Sequence, residues 1–185
     1  MKKKILFAAA VLVCIAIAAA GTLAYFTSGT TVHNVITTGN IDIELVEKTI
    51  ENGVQVDFPE EGISGVMPAT SASKIVTVKN VGAADAWIRV KLTASIVSAD
   101  GEALSGDVMT YQILEGWTYK NGYYYYNAAV APGRSTTALI ESVAFAPEMG
   151  NEYQSCTANL VVSAEAVQVA NNGKTALEAA GWPEN

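Results

Sequence analysis

Cysteine and histidine are scarce in this chain, and their scarcity argues against several kinds of site. The 185 residues include two cysteines and one histidine. Cys14 lies in an apolar N-terminal run, so removal of that run leaves Cys156 as the one thiol and no internal disulfide. A hydrolytic zinc site uses about three protein ligands, usually with histidine among them, and His33 stands alone. With no G-x-S-x-G or phosphate-binding glycine loop either, we predict no catalytic residue, metal site or cofactor.

The isolated cysteine, the histidine and the acidic residues each have an ordinary interpretation. Cys156 is predicted to be a buried thiol in a strand, with an intermolecular disulfide as the alternative. His33 is predicted to be an exposed strand or loop residue. Five acidic residues are predicted to be solvated, because their spacing is irregular, and a calcium site is the alternative. They are Glu47, Glu51, Asp57, Glu60 and Glu61.

Basic residues are few beyond the N-terminus, which argues against nucleic acid or anionic lipid as a partner. Three of the eleven basic residues occupy positions 2–4. The rest of the chain carries eight basic and eighteen acidic residues, a net charge of −10. Nucleic acid and anionic lipid both require clustered lysine or arginine. We therefore expect an acidic domain with no nucleic-acid partner.

The N-terminus has the layout of a secretory signal. Three lysines precede an apolar run that begins at Ile5, and small residues follow it. We predict a signal peptide over residues 1–24, cleaved after Ala24, with Ala20 as the alternative site. The run from Ile5 to Phe26 is just long enough to span a bilayer, so an uncleaved anchor is the other interpretation. Its alanine-rich composition favours cleavage, and we expect membrane contact only through the leader before the cut.

Alternation of apolar and polar residues dominates the rest of the chain and is typical of strands with one buried face. It is clearest over residues 41–45, 54–58 and 88–96, and turn residues separate such segments. Thr136–Phe145 is a further predicted strand. Cys156–Val169 is predicted to be a long final strand with a bulge or bend.

The segment 117–126 predicts a β-hairpin with a two-residue turn. Asn121-Gly122 favours a type I′ turn, because both central residues need φ > 0. The resulting pairs are Trp117 with Tyr126, Thr118 with Tyr125, Tyr119 with Tyr124, and Lys120 with Tyr123. The all-aromatic face is expected to be buried. Tyr123 and Tyr125 then lie on the face expected to meet solvent.

Together these patterns predict an all-β chain. Only Lys174–Ala180 is predicted to be helical after the leader, with Thr175 and Glu178 as a capping box. The expected fold is an antiparallel β-sandwich of about eight or nine short strands, since no alternating βαβ pattern occurs. An N-terminal signal helix and a short C-terminal helix complete it. Residues 25–185 are expected to form a single secreted domain.

Several stretches carry a resemblance to a known family. They are Leu23-Ala24-Tyr25-Phe26-Thr27, Thr37-Thr38-Gly39-Asn40-Ile41-Asp42-Ile43, Val78–Gly82, Trp87–Val90, Trp117 and Gly122–Tyr126. In them the chain resembles the TasA and camelysin (CalY) family of secreted biofilm matrix proteins from Gram-positive bacteria. Members carry signal peptides processed by a signal peptidase of the SipW type. The similarity covers most of the chain, and its N-terminal part is the specific one.

The resemblance implies a jelly-roll sandwich and a structural role as a fibre-forming subunit of the extracellular biofilm matrix. In TasA-like fibres an N-terminal segment of one subunit completes a sheet of the next. The matching segment here, residues 25–36, contains no acidic residue, lysine or arginine. Its candidate donor residues are Tyr25, Phe26, Val32, Val35 and Ile36. The expected partners are further copies of the chain, joined head to tail, and a SipW-type peptidase during export.

Two other functions remain as alternatives. A monomeric cell-surface module would bind a glycan or a host protein through Tyr123 and Tyr125, because exposed aromatic rings stack on sugars. Camelysin members have been called metallopeptidases, but this sequence supplies no ligand set for that activity. In each case the expected location is the extracellular matrix or the cell surface of a Gram-positive bacterium.

Overall fold

The computed structural model describes residues 41–59 and 67–183, and the main chain of residues 27–28 and 34–37. The signal peptide predicted over residues 1–24, with its cleavage sites at Ala24 and Ala20, lies outside the described residues. His33 also lies outside them. Among the residues that are described, no helix has the length and apolar composition that a bilayer crossing requires.

Strands dominate the described part of the chain. In chain order they are β1 (Thr27–Ser28), β2 (Asn34–Thr37), β3 (Ile43–Glu51), β4 (Val54–Asp57), β5 (Ser71–Ser73), β6 (Ile75–Asn80), β7 (Ala86–Val97), β8 (Ala103–Leu104), β9 (Met109–Thr110), β10 (Trp117–Lys120), β11 (Tyr123–Tyr126), β12 (Ser142–Phe145) and β13 (Thr157–Gln168). Two 3-10 turns, Gly106–Val108 and Asn151–Tyr153, interrupt them. The predicted all-β class with antiparallel sheets is confirmed. The strands outnumber the predicted eight or nine because several are only two or three residues long.

The largest sheet has the order β1-β13-β7-β11-β10, with β2 also paired to β13 and β8 to β7. β13 and β7 form an uninterrupted antiparallel ladder from Thr157 opposite Val97 to Gln168 opposite Ala86. Both strands are 12 residues long. The bulge that was one alternative for the final strand is therefore wrong, because β7 matches β13 residue for residue.

Two smaller sheets have the orders β4-β3-β6 and β5-β12-β9. The main chain before β12 joins them. Thr136 N donates to Val78 O at 2.9 Å, and Leu139 N donates to Val76 O at 2.8 Å. Of the predicted strand Thr136–Phe145, only the end, β12, is a regular strand. Its first half runs beside β6 and makes these two main-chain hydrogen bonds with it.

Side chains from all three sheets pack into one hydrophobic cluster. Alternation on β3 buries Ile43 and Leu45 and leaves Glu44 exposed, as the sequence pattern predicts. The cluster joins these side chains to Val162 of β13 and Phe145 of β12. It therefore links strands that are more than 100 residues apart in the chain.

The predicted hairpin is confirmed in its turn and in its register. β10 and β11 pair Trp117 with Tyr126 and Tyr119 with Tyr124. Asn121 has φ of 51° and Gly122 has φ of 85°, the positive values that a type I′ turn requires.

The predicted C-terminal helix is reduced to a single turn. Glu178 N and Ala179 N both donate to Thr175 O at 3.1 Å, and no further helical hydrogen bond follows. The side chain of Asn172 instead bonds both polar groups of the Ala180 main chain. Seven residues are too few for a helix to be stable by itself, so tertiary contacts decide the path of this segment.

Candidate functional site

The side of β13 that faces away from β7 is called here the arm edge, because residues of the N-terminal arm (25–36), together with Thr37, pair with it. β1 aligns Thr27 with Thr157. β2 aligns residues 34–37 with Ser163 to Ala166. Both ladders are parallel, whereas every other strand pair among the described residues is antiparallel. Parallel pairing is slightly less stable per residue, so the arm makes the weaker kind of contact in this sheet.

The two arm ladders differ in register by one residue. From Thr27 to Asn34 the arm advances seven residues, while β13 advances six from Thr157 to Ser163. A one-residue slip exchanges the two faces of a strand. β1 and β2 therefore do not follow one continuous register along β13.

β13 itself is held firmly. Its alternate residues Val162, Ala164 and Ala166 are fully buried in the hydrophobic cluster, and its other edge is bonded to β7 throughout. The main-chain N–H and C=O groups on the arm edge are thus presented on a rigid strand. Such an edge can accept an extended segment through main-chain hydrogen bonds alone.

The arm edge brings together only part of the predicted donor set. Val35 and Ile36 lie in β2, aligned with Ala164 and Glu165. Tyr25, Phe26 and Val32 lie outside the described residues. The resemblance indicated the donor segment, but it did not indicate the strand with which that segment pairs.

On the outer face of the large sheet, Arg89 and Glu165 form a buried ion pair. They are cross-strand neighbours on β7 and β13, 8% and 3% exposed. Arg89 Nε donates to Glu165 Oε2 at 2.6 Å, and Arg89 Nη1 donates to the Tyr125 hydroxyl at 3.3 Å. Tyr123 donates its hydroxyl to Glu165 Oε1 at 3.4 Å, and the Arg89 guanidinium stacks 3.9 Å from its ring centroid.

Residues 172–183, called here the C-terminal segment, cover this ion pair. Trp87 Nε1 donates to Asn172 O at 2.9 Å, and Arg89 Nη2 donates to Pro183 O at 3.1 Å. The ring of Trp182 lies 4.7 Å from the Arg89 guanidinium carbon. With Ala176 almost fully buried, the segment closes a second, smaller hydrophobic cluster.

Tyr123 and Tyr125 are therefore not the exposed contact residues that the hairpin predicted. They are 9% and 7% exposed and belong to this second cluster. The prediction was wrong because a segment about fifty residues later in the chain covers their face. The tryptophan at position 182, close to the chain end, was the one sequence signal for such a cover.

The opposite face of the hairpin is only partly buried. Trp117 is buried, but Tyr119 is 63% exposed because β10 is an edge strand of the large sheet. The ring centroids of Tyr119 and Tyr124 are 5.0 Å apart. Burial, with a smaller effect of the neighbouring Tyr111, raises the pKa of Tyr124 to about 12.

Among the described residues, the acidic side chains named above do not converge on a common point. Glu47 lies inside, with Oε1 2.8 Å from Lys74 Nζ, which also lies 3.8 Å from the ring centroid of Phe58. Burial lowers the pKa of Lys74 despite the attraction of Glu47. Asp57 bonds Lys48 instead. In the part of the chain that is described, no group of three or more His, Cys, Asp and Glu residues could hold a metal ion; Glu60 and Glu61 lie outside that part.

Cys156 is fully buried directly before β13, as predicted for a structural thiol. Its Sγ lies 3.3 Å from Glu152 O. Burial raises the pKa of the thiol, and the charge of Glu152 raises it further. A buried, protonated thiol is a poor nucleophile, so this geometry does not favour the alternative of an intermolecular disulfide.

Comparison of the chain with protein-family models, with curated proteins and with solved structures finds no match.

Proposed function

We propose that this chain is a secreted structural protein of a Gram-positive bacterium, a fibre-forming subunit of the extracellular biofilm matrix. Subunits assemble by strand donation, in which residues 25–36 of one copy join the arm edge of the next. The observation that carries the proposal is the parallel pairing of β1 and β2 with β13. It supports both halves of the mechanism, an arm able to act as a strand and an edge able to accept one.

An arm attached through main-chain ladders can be exchanged without repacking the body of the protein. β13 keeps its bonds to β7 and its buried side chains whether the arm comes from the same copy or from another. A contact between the N-terminus of one copy and the β13 edge of the next is head to tail. It therefore propagates into a fibre instead of closing into a dimer.

The distribution of charge is compatible with this assembly. Outside positions 2–4 the chain carries a net charge of −10, whereas residues 25–36 contain no acidic residue, lysine or arginine. Copies repel one another at long range, but the donated segment adds no charge of its own to the contact. Salt weakens the repulsion and is expected to favour assembly.

The fold that we propose for this subunit is a jelly-roll-like sandwich. The side chains of all three sheets pack into one cluster, and this packing supports a sandwich. Export through a signal peptide over residues 1–24, processed by a SipW-type peptidase, would release the arm. The role is structural, and the proposed mechanism includes neither a catalytic step nor a cofactor.

Deletion of residues 25–36 tests the proposal. The chain starting at Tyr25 is expected to form fibres, and the truncated chain is expected to remain a folded monomer. Electron microscopy and light scattering measure the fibres, and circular dichroism checks the fold. Fibres of normal length from the truncated chain would disprove strand donation.

A matched pair of substitutions supplies the control. Val35→Asp places a charge in the donated strand and is expected to abolish fibres. Val54→Asp makes the same chemical change at a side chain that is 63% exposed on β4, and fibres are expected to persist. Equal loss in both variants would indicate a general effect of charge and count against the arm.

A further inference from the structure

Two tyrosines of the β10–β11 hairpin are placed for a covalent reaction with each other. We infer that Tyr119 and Tyr124 form an oxidative modification site, in which a peroxidase and hydrogen peroxide join their rings through a carbon–carbon bond. The hairpin lies at the end of the large sheet opposite to the arm edge. The inference therefore does not depend on strand donation.

Strand pairing brings the two side chains together. Lys120 and Tyr123 flank the two-residue turn and form a hydrogen-bonded pair, so Tyr119 and Tyr124 form the next, non-hydrogen-bonded pair. Side chains are closest at such positions, because the Cα atoms are about 4.5 Å apart there. The turn and its register thus hold the two rings next to each other in every folded copy.

The geometry of the two rings suits a bond between them. Their centroids are 5.0 Å apart, and their planes are inclined at 48°. A direct bond between two phenol rings places the ring centres about 4.3 Å apart, which is one C–C bond plus two ring radii. The rings therefore need to approach by less than about 1 Å, a distance comparable to the thermal displacement of a side chain. Tyr123 and Tyr125, by contrast, are buried, with centroids 6.4 Å apart and an edge-on arrangement.

Tyr119 is the accessible electron donor of the pair. It is 63% exposed, so a peroxidase can take an electron from it directly. Cys156 is fully buried, and Trp117 is only 8% exposed. The ring of Trp182 lies 4.7 Å from the Arg89 guanidinium, and a positive charge there disfavours removal of an electron from the indole. Oxidation is therefore expected to start at Tyr119.

Tyr124 has a neighbour that can share its proton. Because its pKa is raised to about 12, Tyr124 is a neutral phenol at physiological pH and must release a proton together with an electron. The Tyr111 hydroxyl, which contributes to that raised pKa, lies beside it. A phenol oxygen can accept a hydrogen bond, so this neighbour supplies an acceptor for the proton.

The reaction is a two-electron oxidation. Each phenol loses one electron and its hydroxyl proton, and the unpaired electron of each radical is shared with the ring carbons beside the C–O bond. One such carbon from each ring forms the new C–C bond, and each then gives up its proton to its own phenol oxygen as the ring becomes aromatic again. The two electrons and two protons removed reduce one hydrogen peroxide to two waters. The chain loses two hydrogen atoms, and the edge strand β10 becomes covalently fixed to β11.

Peptide mapping of the oxidised protein tests the inference. The chain starting at Tyr25 is treated in dilute solution with hydrogen peroxide and a haem peroxidase, and is then digested with trypsin. Trypsin cuts after Lys120, between the two tyrosines, and produces the peptides 92–120 and 121–134. Mass spectrometry is expected to find these peptides as one linked species, two hydrogen atoms lighter than their sum. Its yield per chain is expected to be independent of protein concentration, because both rings belong to the same copy.

Single variants assign the bond to its two residues. Tyr119→Phe and Tyr124→Phe are each expected to abolish the linked species, because phenylalanine has no hydroxyl from which a phenoxyl radical can form. Tyr126→Phe is the matched control. Tyr126 lies in the same tryptic peptide and on the same face of β11 as Tyr124, but its ring contacts Trp117. This variant is expected to keep the wild-type yield.

Several outcomes would overturn the inference. One is the absence of the linked species after oxidation, and another is a bond that maps to Tyr111 or persists in Tyr119→Phe. A yield that falls on dilution would show coupling between copies and would also count against the site. None of these outcomes bears on strand donation, because β10 and the arm edge lie at opposite ends of the large sheet.

Discussion

At the scale of single residues, Arg89 shows how this chain accommodates a buried charge. Its guanidinium donates to the Glu165 carboxylate, the Tyr125 hydroxyl and the Pro183 carbonyl. Burying an ion costs several kcal/mol unless partners satisfy it, and Arg89 has partners on three sides. Glu165 depends on the same arrangement, because its second oxygen accepts a longer contact, 3.4 Å, from the Tyr123 hydroxyl.

Substitution of Arg89 should therefore be costly. Arg89→Met is expected to lower the free energy of unfolding by about 3 kcal/mol or more, because it leaves Glu165 buried without its charged partner. Urea denaturation monitored by circular dichroism measures the loss. Arg134→Met removes an exposed arginine and should change stability by no more than about 0.5 kcal/mol. Equal stabilities of the two variants would contradict the role assigned to the ion pair.

At the scale of secondary-structure elements, the β10–β11 hairpin depends on two residues with left-handed backbone. An added Cβ at Gly122 would meet nothing within 4 Å, so space does not explain the glycine there. The φ of 85° explains it, because residues with a side chain rarely adopt that conformation. The hairpin supplies Trp117 to one cluster and Tyr125 to the other, so its turn positions aromatic rings on both faces of the sheet.

Gly122→Ala isolates this backbone effect. The variant is expected to lose about 1–2 kcal/mol of stability, the usual cost of a left-handed residue with a side chain. Gly122→Asn should lose clearly less, since asparagine tolerates the conformation. Thermal and urea unfolding of both variants provide the comparison. An alanine variant as stable as the asparagine variant would show that the turn relaxes at little cost.

At the scale of the whole molecule, the position of the proposed signal cleavage would set the length of the arm. Cleavage after Ala24 leaves two residues before β1 begins at Thr27, whereas cleavage after Ala20 leaves six. Under the proposed function, the start of the processed chain would therefore determine how much strand is available to donate. Retention of the whole leader would hold the arm at the membrane.

We expect protein recovered from the culture medium to begin at Tyr25, as measured by N-terminal sequencing and intact mass. Ala24→Leu should block this cut, because signal peptidases require a small residue there, and Ala20→Leu should leave it intact. A chain beginning at Gly21 would instead assign the cut to Ala20. Recovery of the intact chain, with residues 1–24 still attached, in the membrane fraction alone would favour the anchor interpretation.

What the sequence determined by itself was local. The alternation on β3 and the Asn121-Gly122 turn rest on contacts between residues that are near one another in the chain, so they could be predicted without a structure. The tertiary structure decided which surfaces are covered. Tyr125 is buried by Trp182, and Lys174–Ala180 is reduced to one turn by its packing. The arm pairs with β13 because the order of strands leaves that edge open, and strand order depends on contacts between residues more than 100 positions apart. The sequence predicted a leader and an arm, and the leader stays a prediction; the edge with which the arm pairs could be found only once the sheet was assembled.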